Sequence, residues 1–510
     1  MPPPKKKHVE VRFYRVTTGS TGRLRVITSI RTKAGARNLT LGAFLMKPPK
    51  NTTQVLELDA GQVLSFATEL LNNAGMTKQS LQRHITLWPL VLYGMGDILG
   101  AGIYGLVGKA AGQMGNGVWM AFLVSMVAAS FTGLSYASLG SRYPRAGGAS
   151  FVVHKAFKSG FLAYVIGLAV LASGLTSMAT SSRAFAGYFS GLFPVFPVPV
   201  VVAAFAIVLA LIIFVGIRET LWVNNVLAVV EIAGLAFIVI FGLSFIGKVD
   251  YLDVTGPSNP QGLITFPLLL SGAVLTFYSF IGFEDILNVS EEVKDPSKTI
   301  PRGLLIAVGL SSLIYMLISL IAVSVIPASQ LAESKQPLVD VVAASAPWFP
   351  TPIYSVISLL AVSNTALLNF VMGSRLLYGM SHQGLMPKFL SQVHAKRATP
   401  HRAIGVLLVI LLFLALSGDI SALAKATSVL LLLCFSFVNL GLLILQRQDK
   451  MEGKFEVHPI IPALGFLVCL AMLTQVAGSE ALIAGAIIAL IVVLYFVVRP
   501  SRQSIEKMDL

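Results

Sequence analysis

The chain has 510 residues, of which 55% are hydrophobic and only 12% charged, and its mean hydropathy is +0.79. Soluble domains carry about 25% charged residues, so the composition excludes a soluble enzyme or binding module and implies a membrane protein of many spans. The net charge of +15 raises nucleic acid as a partner, but in so apolar a chain Lys and Arg are expected to collect in cytoplasmic loops, and no nucleic acid is expected.

Residues 1–84 differ from the rest and hold most of the basic excess, including KKK at 5–7 and RLR at 23–25. HVEVRFYRV (8–16) and RLRVITSI (23–30) alternate in period two around TTGSTG, which predicts a β-hairpin. A short helix is expected at QVLSFATELL. No cleavable signal peptide is visible. Met76 opens a short polar lead into the first apolar run. Residues 1–75 therefore read either as a small cytoplasmic domain or as sequence ahead of a mis-set start.

Apolar runs of membrane-crossing length then predict about twelve helices: 86–110, 116–140, 160–188, 197–217, 221–246, 264–289, 302–326, 351–378, 403–418, 422–446, 458–477 and 480–498. The expected fold is an all-α integral membrane domain over 85–500, followed by a cytoplasmic tail at 501–510. SRYPRAGGASFVVHKAFKS and KFLSQVHAKRATPHR are basic loops without an acid, and they fall on the same side as the basic N-terminus. FPVFPVPV and ASQLAESKQP lie on the other side. The positive-inside rule puts both termini in the cytoplasm. Cys434 and Cys469 lie in apolar runs and offer neither a disulfide framework nor metal spacing, so neither cofactor nor metal is expected.

GAGIYG, at 100–105, fits a dinucleotide-binding fingerprint, but it lies inside the first span. The strand before it and the acid about 20 residues on that such a site needs are missing, so no nucleotide is expected. Two readings remain: close helix packing through small residues, or a helix broken in the bilayer with its backbone groups turned to a cavity. The sixth span repeats the pattern, with Gly282 in mid-span and Glu284 and Asp285 directly after it. Two interrupted spans five apart are the mark of a five-plus-five inverted-repeat transporter with its substrate held between the broken helices 1 and 6.

At these residues the sequence resembles the amino acid–polyamine–organocation (APC) transporters, which share the leucine-transporter-like fold. GDILGAGIYGLVGKAAG is similar to their first span and GLSYASLGSRYPRAGGA to their second span and loop. FYSFIGFEDILNVSEEVKDPSKTIPRG is similar to their sixth span, and NTALLNFVMGSRLLYGMSHQGLMP to their eighth. The resemblance covers residues 85 to about 500. It implies transport of amino acids driven by protons or by exchange. It also implies that the substrate carboxylate meets the N–H groups of Gly100, Ala101, Gly102 and Ile103. The ammonium would then meet carbonyls at Tyr278, Ser279, Phe280 and Ile281, beside Gly282. Tyr278 falls where relatives place an aromatic against the substrate, and Glu284 matches a gate glutamate.

Asp97 lies at membrane depth, either as a carboxyl bonded within its helix or as a proton or cation site. Glu231, in the middle of span five, falls where proton-coupled relatives carry lysine, and this departure reverses the charge. A carboxylate can still shuttle a proton or ligate a cation. Proton coupling, exchange and sodium coupling therefore stay open, with Asp97, Glu231 and Asp285 as coupling candidates and Ser363 and Asn364 as weak ion-site candidates. Lys109 and Arg183, near the outer ends of spans one and three, read as snorkelling side chains. His382 and Gln383 stand where the family carries a basic–acidic pair.

The expected function is secondary active transport of amino acids by alternating access, with a bundle of spans one, two, six and seven moving against a scaffold in the cell membrane. The alternatives are a polyamine or diamine carrier of the same fold and an amino acid receptor that does not transport. Enzymatic chemistry finds no clustered His, Cys or paired-acid motif.

Overall fold

The computed structural model describes residues 10–17, 24–32, 35–40 and 85–500, the last apart from 144–147, 216, 257–258, 383–384, 395–396, 398, 449–452, 477 and 499. The chain divides into two units, Met1–Leu81 and Gln82–Leu510. In the first, β1 (Glu10–Thr17), β2 (Leu24–Thr32) and β3 (Gly35–Thr40) form an antiparallel sheet in the order β1-β2-β3. β1 pairs with β2 from Glu10↔Arg31 to Thr17↔Leu24. The third strand had no period-two signal strong enough to predict it. The helix expected at QVLSFATELL lies outside the described residues.

The second unit is helical, and each of the twelve predicted spans is present. The first is split into α1 (Leu87–Ile98) and α2 (Ala101–Met114). The second is α3 (Val118–Arg142), and the third, after the short α4 (Gly148–Phe157), is α5 (Gly160–Leu192). The fourth and fifth are α6 (Val198–Val215) and α7 (Ile217–Gly242). The sixth is α8 (Phe266–Phe277), followed by a 3-10 turn at Tyr278–Phe280 and a 3-10 segment at Phe283–Glu292. The seventh, α9 (Pro296–Val325), leads through α10 (Ala328–Glu333) and α11 (Pro337–Ser345) to the eighth, α12 (Thr351–His382). The last four are α13 (His401–Ser417), α14 (Ile420–Gln448), α15 (Ile460–Leu473) and α16 (Gly478–Val498).

Among the described residues nine helical stretches are long and apolar enough to cross a membrane, with α13 and α15 shorter and apolar. Leu211, Val229, Phe413, Leu467 and Phe496 are exposed on the outer surface of these helices, as a lipid environment requires of backbone-satisfied spans. Two stretches expected as loops are partly helical. GASFVVHKAF winds into α4 because Ala149, Val152, Val153 and Ala156 recur at helical spacing and are buried together. ASQLAESKQP contributes α10 and the start of α11.

Lys109 and Arg183, expected as snorkelling side chains, are both bonded to backbone carbonyls of other elements. Lys109 Nζ donates to the Ala332 carbonyl of α10 at 2.7 Å. Arg183 donates to the Ala415 and Leu416 carbonyls at 2.6 and 3.1 Å. Each cation thus meets the negative end of a helix whose last carbonyls lack intrahelical donors. At the other end of the molecule, Arg142 of α3 pairs with Glu456 in the α14–α15 connection. Ser141 Oγ also bridges there, donating to the Ser297 carbonyl at 2.8 Å and accepting from Phe455 N–H at 2.9 Å.

Candidate functional site: two helix breaks that touch

The first break is built on Gly100. Leu99 N–H still donates to the Met95 carbonyl at 2.8 Å, which closes α1. Gly100 then takes φ +136, a region that side chains disfavour, and the chain re-enters α2 at Ala101. The second break is built on Gly282, at φ +120. After it the chain continues in the tighter 3-10 winding of Phe283–Glu292, so the sixth span does not resume as an α-helix.

The two breaks press on each other through main chain. A Cβ on Gly282 would stand 2.6 Å from the Asp97 carbonyl oxygen and 3.0 Å from Ile98 N. A Cβ on Gly102 would meet the Ser279 main chain first, at its Cα, with the Ser279 Cβ and Oγ next at 2.7 Å. The packing reading of the glycines therefore holds beside the broken-helix reading. Gly94 is a different case, since its closest obstacle is the Ile286 Cδ1 methyl at 2.5 Å.

A narrow cavity of about 50 Å³ lies at this junction. Its walls come from α1, α2, α5, the sixth span and α12, and it extends from the breaks toward the end of the domain at which α1 begins. Of the sequence candidates, Asp97, Gly102, Tyr278, Ile281, Gly282, Glu284 and Asp285 line it. None of the described lining residues is Lys, Arg or His. The α2 N-terminus brings N–H groups without intrahelical acceptors to this place, and Asp97, Glu284 and Asp285 bring carboxyl groups. Glu284 accepts a hydrogen bond from Gly282 N–H at 3.0 Å.

Other candidates sit behind the wall. Ala101 N–H donates to Thr365 Oγ1 at 3.1 Å, so a side chain of α12 caps α2. Phe280 packs edge-on against Tyr315 with ring centres 5.2 Å apart. Ser279 Oγ is buried and has no hydrogen-bond partner among the described residues. Gly100, Ile103 and Glu231 are likewise absent from the cavity wall. Glu231 is 0% exposed. One of its oxygens, Oε2, is 3.5 Å from Asn364 Nδ2, which also donates to the Gly96 carbonyl at 3.1 Å. Ser363 donates to its own helix, at the Leu359 carbonyl, 2.6 Å away. His382 ends α12, and Gln383 lies outside the described residues, as does the His382 side chain.

Thr365, Asn369, Ser177 and Tyr315 were not singled out from the sequence. Tyr315 O–H donates to the Ile98 carbonyl at 2.6 Å, a group that the break has freed from α1. Asn369 donates to the Thr365 carbonyl at 2.9 Å and to Ser177 Oγ at 3.4 Å. Tyr278 O–H is held by Ser177, with oxygens 3.0 Å apart, and by Ser181 at 3.4 Å. The available signal was spacing: Ser173, Ser177 and Ser181 on α5, and Thr365 and Asn369 on α12, stand four apart and mark one polar face on each helix.

Residues 85–500 match the amino acid permease family. The branched-chain amino acid permease BcaP of Bacillus subtilis (strain 168) is 27% identical over 419 residues, 78% of this chain and 88% of its own. BcaP of Lactococcus lactis subsp. cremoris (strain MG1363) is 28% identical over 437 residues, 81% of this chain and 93% of its own. Cationic amino acid transporter 4 of Mus musculus is 28% identical over 389 residues, 72% of this chain and 60% of its own. With two broken spans and a family match over the whole helical domain, the chain belongs to the amino acid permease family of the APC superfamily.

Proposed function

We propose that this chain is a secondary transporter that carries amino acids across the cell membrane by alternating access, driven by a cation gradient or by exchange. The observation that carries the reading is the pair of touching helix breaks with a cavity at their junction. A half-helix N-terminus attracts an anion, so the substrate carboxylate docks at Gly100–Ile103, and Gly102 is the part of that turn on the cavity wall. The ammonium is received by Asp97 and by the carbonyls of the sixth-span break, Tyr278 to Ile281. Glu284, one turn beyond that break, serves as the gate. Spans one, two, six and seven move as a bundle against the remainder. The basic loops support an orientation with the α1 end of the domain, and both chain termini, in the cytoplasm, and in that orientation the cavity opens onto the inner path.

The carboxyl groups of Asp97, Glu284 and Asp285 on a wall without a basic side chain favour substrates with an additional positive charge, and this supports a second reading as a carrier of cationic amino acids or diamines. Counterflow in proteoliposomes tests both. Vesicles loaded with unlabelled amino acids should take up labelled leucine or arginine by exchange. Competition by putrescine, which has no carboxylate, would move the assignment to diamines. Tight binding without exchange would make the protein a receptor and refute transport.

A further inference from the structure

At the end of the domain away from the start of α1, a second and larger cavity of about 520 Å³ opens beside the α2–α3 turn. It shares no lining residue with the cavity at the helix breaks. One wall is the α7–α8 connection between Val249 and Gly256, another is the C-terminal turn of α9, and a third is Pro327–Ser329, where α10 begins.

The fold itself holds these walls. Trp119 Nε1 donates to the Tyr251 carbonyl at 2.9 Å, and Asn116 Nδ2 donates to the Asp250 carbonyl at 3.2 Å. Tyr251 O–H and Ser324 Oγ are 2.7 Å apart, which ties the connection to α9. Gly115, at φ +58, lets the loop backbone settle on the α2–α3 turn. A Cβ there would stand 2.8 Å from the Thr255 carbonyl oxygen and 2.9 Å from that of Asp253.

The charge of the cavity has one sign. Ile326 N–H closes α9 on the Ala322 carbonyl at 3.0 Å, and the next residue, Pro327, has no N–H for the carbonyl of Val323. Val323, Ser324 and Val325, all on the wall, thus form the negative end of a 30-residue helix. Asp253 adds a carboxylate. Its Oδ1 accepts from Thr255 N–H at 2.9 Å, and hydrogen bonds from the Thr255 side chain and backbone hold its pKa below the usual carboxylate value. None of the described lining residues is Lys, Arg or His. Val249, Ile326 and Pro327 make the rest of the wall apolar.

We propose that this cavity is a second ligand site, for an organic ammonium compound with an apolar body. The ammonium meets the Asp253 carboxylate and the last carbonyls of α9, and the apolar body lies against Val249 and Ile326. The inference goes beyond the transport reading and does not depend on it. An amine that is not carried and the ammonium end of an amino acid substrate share this chemistry, and the test separates them.

The test is isothermal titration calorimetry on the full chain in detergent, with phenethylamine as the probe and 2-phenylethanol as its uncharged counterpart. Phenethylamine should bind saturably, and 2-phenylethanol about tenfold more weakly, the factor expected of one hydrogen bond to a charged group. Asp253→Asn should lower the phenethylamine affinity about tenfold. Ser329→Arg, which puts a cation on the wall, should abolish binding at this site. Titrations repeated at saturating leucine identify the source of the ligand. Persistence of the Asp253-dependent binding assigns the site to an amine that is not carried, and its loss assigns the site to the substrate's own ammonium. No binding of phenethylamine, equal binding of 2-phenylethanol, or wild-type affinity in both variants would overturn the inference. Asp253 and Ser329 are both exposed, so the variants should elute with the wild type on size-exclusion chromatography. If they aggregate, the comparison of the two probes on the wild type decides alone. Absence of leucine counterflow in proteoliposomes of the same preparation would overturn transport and leave the amine site standing.

Discussion

Gly282→Ala strikes at the contact between the two broken helices. The added methyl would stand 2.6 Å from the Asp97 carbonyl oxygen and 2.7 Å from its carbon, where ordinary contact begins at 3.4 Å. Both obstacles are main chain, so no rotamer change relieves them, and the breaks must part by about 0.8 Å. Overpacking of that kind costs about 1–3 kcal/mol. Holding a side chain at φ +120 adds about 1–3 kcal/mol, so the total is about 2–6 kcal/mol. A displacement close to 1 Å in a binding frame also lowers turnover by as much as about 100-fold. The comparison is Gly309→Ala, in the middle of α9, where a Cβ meets nothing within 4 Å and the helix gains about 1 kcal/mol. Denaturation midpoints in detergent and counterflow rates are measured for both variants. Wild-type stability and exchange in Gly282→Ala would refute the close approach of the two breaks.

Thr365→Val leaves Ala101 N–H without its 3.1 Å acceptor. The loss should be about 1 kcal/mol and appear as a raised KM in uptake assays, with Thr365→Ser restoring it. Tyr278→Phe keeps the ring on the cavity wall but removes the bonds to Ser177 and Ser181; stability should fall by about 1 kcal/mol, and competition among amino acids should show altered selectivity. Glu456→Ala leaves the buried Arg142 without its carboxylate. With Glu456 itself partly exposed, the cost should be about 2 kcal/mol in thermal unfolding, and loosening of the α14–α15 connection should be visible as faster hydrogen exchange at Phe455.

The helices and both breaks were legible because the signals are local. Twenty apolar residues span a bilayer whatever surrounds them, and glycine is the residue that reaches φ +136 at Gly100 and φ +120 at Gly282 without strain. What stayed hidden depends on partners distant in sequence. Thr365 caps α2 across 264 residues, and Tyr315 reaches Ile98 across 217; neither side chain is unusual in its own segment. The partners of Lys109 and Arg183 were hidden for the same reason, since the carbonyls they find belong to α10 and α13. The short α4 was masked by GG and by the basic residues around it, although Ala149, Val152, Val153 and Ala156 already had helical spacing.

The difference between Gly94 and Gly282 determines which mutations a descendant sequence can repair. A methyl on Gly94 meets the far end of a side chain, Ile286 Cδ1, so Gly94→Ala should be rescued by a second-site change such as Ile286→Val. A methyl on Gly282 meets peptide groups of Asp97 and Ile98, which every amino acid possesses. A suppressor screen should therefore return revertants at position 94 with compensating changes on the sixth span, and at position 282 only a return to glycine.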